Sequence, residues 1–205
     1  MPGCWLAMRW HTWRTRRPRG STPWNGTAWL PYGSGTNGTV RVLTKTASGQ
    51  VIAGGAFTSA GGVSASRIAR WNGVAWAPMD VGMSNWVYTL TVMTNGDVMA
   101  GGNFTTAGGV SANRLARWNG TTWLPLGSGM NDAVNALVLR PNGDIAAGGD
   151  FTLAGGTAAN FVSRWNGASW SGLGTGTNGA VQALANLANG DLVAGGVFTV
   201  AGGFP

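Results

Sequence analysis

Short apolar runs, each cut off by a glycine-bearing turn, follow one another along most of the chain. A run with Val87 and Leu90 three apart is followed by the turn Asn95–Asp97, and a second run, Val98–Gly102, ends in paired glycines. A third run, Asn113–Trp118, leads to an asparagine–glycine step and then to Trp123. Runs of about five residues bounded by glycine, asparagine and aspartate read as strands. An Asn-Gly step between two such runs is the strongest short hairpin signal. No window sustains the apolar period of a helix. The pattern therefore predicts a series of short antiparallel strands and no helical layer.

The same series recurs in register. The tripeptide WNG stands at Trp24–Gly26, Trp71–Gly73, Trp118–Gly120 and Trp165–Gly167, each 47 residues after the last. The glycine pairs Gly54 and Gly55, Gly101 and Gly102, Gly148 and Gly149, and Gly195 and Gly196 keep that spacing, as do the second tryptophans Trp29, Trp76, Trp123 and Trp170. Four short strands in a unit of this length make one blade of a β-propeller. A single blade cannot cover both its faces, so neighbours must stack. The tryptophans are expected to fill the spaces between blades, and the glycine pairs to mark places where a Cβ would collide.

The expected fold is thus all-β, a propeller of four-stranded antiparallel blades, about four in number. Whole blades are expected over about Val40–Met79, Val87–Leu126 and Val134–Leu173, with two strands within Val181–Gly196 and a last strand around Thr27–Pro31. An open arc, or a fragment of a larger propeller, is favoured, and a closed four-bladed ring is the alternative. Residues 1–23 break the register. They are rich in arginine, tryptophan and proline, and are expected to be disordered or not to derive from the native reading frame. Residues 24–205 form the repeat domain.

The phrase GGxFTxAGG followed by ARWNGxxW resembles kelch or galactose-oxidase-like propeller repeats, and the repeats of large bacterial secreted proteins and of a fungal cortical cell-polarity marker. The resemblance implies a propeller and, with it, a bacterial protein that is secreted or held at the cell surface. It implies little about activity, because propellers host many unrelated tasks.

Composition narrows the choice. Of 13 basic residues, five lie in the first twenty positions, and the remaining eight face six aspartates with no glutamate. The repeat body is close to neutral, which argues against a phosphate-tracking surface for nucleic acid. No apolar run approaches the ~18 residues of a membrane span. His11 and Cys4 stand alone in their types and Tyr32 and Tyr88 are the only tyrosines, so neither a copper nor a zinc site can be assembled. No metal, cofactor or catalytic residue is expected. Asp97, Asp144 and Asp191 occupy one recurring turn, where closing the hairpin is the simpler role.

Binding is expected where the repeats differ on the face that carries the longer loops. The differing residues there are Asp80, Trp86, Asp132 and Asp150. The expected function is a non-enzymatic module for protein binding or display. The alternative is a carbohydrate-binding or sugar-processing propeller, with Trp86 facing the sugar.

Overall fold

The computed structural model describes residues 24–28, 30 and 32–204. The expectations for residues 1–23 and for Trp29 lie outside this set. Thr27, Ala28 and Leu30 are described but are not in a strand, so the strand expected over Thr27–Pro31 is not formed by them. A strand is held by its partner, and these residues have no ladder with a neighbour among the described residues.

The first blade runs β1 (Val40–Lys45), β2 (Val51–Gly55), a small ribbon of β3 (Ser59–Ala60) and β4 (Val63–Ser64), then β5 (Ile68–Trp71) and β6 (Trp76–Pro78). The second repeats this as β7 (Val87–Val92), β8 (Val98–Gly102), β9 (Thr106–Ala107), β10 (Val110–Ser111), β11 (Leu115–Trp118) and β12 (Trp123–Pro125). The third has β13 (Val134–Leu139), β14 (Ile145–Gly149), β15 (Leu153–Ala154), β16 (Thr157–Ala158), β17 (Val162–Trp165) and β18 (Trp170–Gly172). The chain then adds β19 (Val181–Asn186) and β20 (Leu192–Gly196). Each full blade is a four-stranded antiparallel meander, as in β1-β2-β5-β6. The ribbons were not foreseen, because a strand of two residues is too short to carry an alternating pattern.

The blades stack in chain order: β1 packs on β7, β7 on β13 and β13 on β19. These strands, each at one edge of its sheet, form the inner side of an arc. The arc is open, not the closed four-bladed ring, since among the described residues β19 and β20 pair only with each other. Burial reports the same thing. In β8 and β14 every residue is buried, because both faces of those sheets are covered. In β1 burial alternates residue by residue, because no other blade among the described residues covers one of its faces. Leu43 is 49 % exposed, whereas its counterparts Leu90 and Leu137 are 7 % and 8 % exposed.

Both tryptophans of a unit join neighbouring blades. Trp123 lies in the space between the first two blades, 5.3 Å from Trp118 ring to ring, and its indole N–H donates to the carbonyl of Met79 at 3.0 Å. Trp76 donates in the same way to Tyr32 and Trp170 to Leu126. A buried indole N–H with a carbonyl partner adds direction to what the ring area contributes.

The two glycines of each pair have different jobs. A Cβ on Gly54 would sit 2.6 Å from Cγ1 of Val87 in the next blade, and one on Gly101 would sit 2.6 Å from Cγ1 of Val134. The first glycine is thus the socket for a valine from the neighbour. A Cβ on the second would strike a carbonyl of its own blade: Thr39 at Gly55, Trp86 at Gly102, Ala133 at Gly149. That carbonyl enters at a bulge, where the pairing register shifts between Val87 and Thr89 and at the matching places in the other blades. A bulge bends the strand at the point where the backbone must pass close by.

One core position departs from the repeat. Ser163 is fully buried and its hydroxyl has no partner among the described residues, where Ala69 and Ala116 occupy the equivalent places. Leaving a buried hydroxyl unpaired costs about 1–3 kcal/mol. Ser163→Ala is expected to stabilise the protein by about 1 kcal/mol, read as a shift of the urea midpoint at unchanged m-value; an unchanged or lowered midpoint contradicts the assignment.

Candidate functional site

The antiparallel meander sends the tight turns to one face of the arc and the longer connections to the other. On the tight-turn face the repeating polar residues serve the backbone. Asn72 Oδ1 accepts from the backbone N–H groups of Val74 and Ala75, and Asn119 and Asn166 repeat this. Asp97 accepts from Asn95 Nδ2 at 3.0 Å and lies 3.5 Å from Arg117 Nε, while Asp144 does the same with Asn142 and, at 3.6 Å, with Arg164. Asp191 accepts from Asn189 Nδ2. These carboxylates close hairpins, as their spacing suggested.

On the loop face, each connection between blades is tied to the ribbon that follows. Asn37 Oδ1 accepts from the N–H groups of Thr58 and Ser59, and Asn131 and Asn178 do so in their own repeats. Ser84 supplies the same acceptor through its hydroxyl. The loops are therefore a braced platform, on which the residues that differ between repeats are displayed.

Asp132 and Asp150 meet at one corner of the third blade. Asp132 Oδ1 accepts from Ala133 N–H at 2.7 Å, and Ala133 in turn accepts from Asp150 N–H at 2.9 Å. Asp150 Oδ1 accepts from Asn135 Nδ2 at 3.3 Å. Trp86 occupies the corresponding corner of the second blade, where its carbonyl accepts from Asn103 N–H. These three residues line the inner rim of the loop face, at the starts of β7 and β13 and the end of β14. Asp80 stands apart, on the outer connection over Gly108. It has φ +59°, a left-handed conformation held by glycine at the equivalent Gly33, Gly127 and Gly174. Asp tolerates this region better than most residues, and its carboxylate accepts from Val81 N–H at 2.8 Å.

Sequence reasoning missed what surrounds Trp86. The Arg41 guanidinium, from the first blade, lies 4.9 Å from the Trp86 ring and 5.1 Å from the ring of Tyr88. Trp86 and Tyr88 meet edge on at 6.4 Å, and Trp86 is 43 % exposed. The signal was present in the repeat columns: Arg41, Tyr88, Asn135 and Gln182 follow the valine that opens each inner strand and differ in every copy. Cation–π contacts of this kind contribute about 0.5–1 kcal/mol at exposed sites. They hold an otherwise mobile arginine and a large aromatic in one arrangement. Among the described residues no three His, Cys, Asp or Glu side chains converge as a metal site would require, and no helix is long and apolar enough to cross a membrane.

The comparisons agree on the architecture. Residues 46–73 and 94–120 match the family described as domain of unknown function (DUF5122) beta-propeller. No curated protein matches the sequence significantly. Among solved structures, the extracellular domain of BT4673 from B. thetaiotaomicron is similar with TM-score 0.58 and 14 % identity, over 84 % of this chain and 22 % of that one. The WD40 beta propeller domain of Doa1 is similar with TM-score 0.55 and 17 % identity, over 77 % of this chain and 48 % of that one. The chain spans less than half of the length of either. At these identities the likeness shows the fold: this is a β-propeller repeat.

Proposed function

We propose that the chain is a non-enzymatic, kelch-like propeller module that binds a protein partner through the inner rim of its loop face, on or outside a bacterial cell. The observation that carries this is the Arg41–Trp86–Tyr88 cluster. Arg, Trp and Tyr are the residue types that dominate binding energy at protein interfaces, and here they cluster, partly exposed, at a single blade junction of a repeating scaffold. Asn135, Asp132 and Asp150 extend the rim with hydrogen-bonding groups suited to the polar border of such an interface. A sugar stacking on Trp86 has less room, because the Arg41 guanidinium already covers part of the aromatic surface. The non-enzymatic reading is supported by how the exposed carboxylates are used, each accepting from a nearby backbone or amide N–H. The external location is supported by the extracellular domain among the similar structures and by the sparse charge of the repeat body.

The test compares three immobilised proteins against bacterial cell-surface protein extracts and against a glycan array. These are the wild type, the rim variant Arg41→Ala/Trp86→Ala, and Val74→Ser on the opposite face, where Val74 is exposed in a tight turn. A protein ligand retained by the wild type and by Val74→Ser, but lost with the rim variant, is the expected result. Glycan binding lost with the same variant moves the module to the carbohydrate-binding class. Ligands that bind all three proteins equally overturn the rim as the site.

A further inference from the structure

We propose that the two open faces of the arc are the two halves of one interface, and that a second copy of this chain docks on it head to tail. The inference is independent of the rim. It rests on the junctions the chain already contains. At each, a valine at the start of an inner strand enters the space over the first glycine of the preceding blade: Val87 at Gly54, Val134 at Gly101, Val181 at Gly148. All three valines are fully buried. Leu184 also reaches the Gly148 socket, at 3.4 Å from the position of a Cβ there.

Gly195 is the fourth socket, and a Cβ built on it would meet nothing within 4 Å. Around it, Val193 and Val197 are exposed, although the residues equivalent to Val193 (Ile52, Met99 and Ala146) are buried. At the other end of the arc, β1 presents the matching knob. Val40 is only half-buried and Leu43 is exposed, at the positions that Val181 and Leu184 fill in the junction on Gly148. The approach to β1 is already braced: Trp76 Nε1–H donates to Tyr32, and Thr36 bridges to Ala60, as Met83 bridges to Ala107 in the next repeat. A second copy therefore offers a preformed surface that continues the stacking seen three times within the chain, with an apolar knob for an apolar socket.

Charge is also compatible. Lys45 stands where Asn186 stands in the last blade, and Asn186 Nδ2 donates across the junction to the carbonyl of Leu139. In the docked pair the Lys45 ammonium would take that donor role toward the carbonyl of Asn186. Such a contact is heterologous: knob and socket lie on different surfaces of one chain, so copies join in sequence and close into a ring if the rotation allows.

Sedimentation velocity of the full chain at up to about 100 μM, well above the micromolar weak end for interfaces of ordinary size, tests this. The wild type is expected to form a dimer or a concentration-dependent ladder. Gly195→Leu fills the socket and Leu43→Asp spoils the knob; both sites are open in the single chain, so each variant is expected to stay folded by circular dichroism and to run as a monomer. Mixed one to one, the two variants retain one intact knob and one intact socket between them, and are expected to form a 1:1 complex that neither forms alone. A symmetric contact between like faces cannot give that complementation. Monomeric wild type at the highest concentration, association that survives either variant, or a mixture that stays monomeric overturns the proposal.

Discussion

Trp123→Ala is expected to lower the stability of the protein by about 3–5 kcal/mol, the range for removing a buried large aromatic. The ring is 2 % exposed and wedged between the first two blades, so the surrounding sheets cannot close over the space it leaves. The substitution also strands the carbonyl of Met79, which loses its indole N–H donor in a buried setting. Trp86→Ala removes the same atoms but is expected to cost less than about 1 kcal/mol, mostly the lost contact with Arg41. Thermal melts of the two variants check this directly. Equal losses would mean that the rim cluster belongs to the core and is not a displayed site.

Gly102→Ala is the second large effect. The added methyl would be driven into the carbonyl oxygen of Trp86 and to 3.0 Å from the Cα of Val87. Both are backbone atoms fixed by the bulge and by the N–H of Asn103 that bonds the same carbonyl. No side-chain rotation relieves the clash, so the cost is expected at or above the upper end of overpacking, about 3 kcal/mol. Gly195→Ala is made at the first glycine of the last pair, whose counterpart Gly101 is filled by Val134; here it meets open space and is expected to be neutral or to stabilise by up to about 1 kcal/mol through the unfolded chain. Urea unfolding of the pair separates the two cases. A loss at Gly195 as large as that at Gly102 would show that the space around a glycine does not decide whether a methyl is tolerated there.

Several features were legible without coordinates because they are local or periodic. WNG marks a hairpin since asparagine can accept from the two N–H groups beyond it, as Asn72 does. The 47-residue register is a property of the string itself. The special standing of Asp80 could also be read there, because glycine holds its position in the other three repeats. The Arg41 contact could not. It joins residues 45 apart on different blades, and only the stacking of β1 on β7 sets their distance. Nor could the buried Ser163, whose hydroxyl is harmless in a sequence and costly only when both faces of its sheet are covered.

The sequence by itself determined the repeat, the strand-and-turn order and the four-stranded blade, because turn chemistry and alternation act between residues close along the chain. Tertiary structure alone decided what identical letters do in different places. Gly54, Gly101 and Gly148 are filled sockets while Gly195 is an empty one, and Leu90 is core while Leu43 faces solvent. The physical reason is that burial belongs to a pair of surfaces, and a repeat becomes core only where another repeat is stacked upon it.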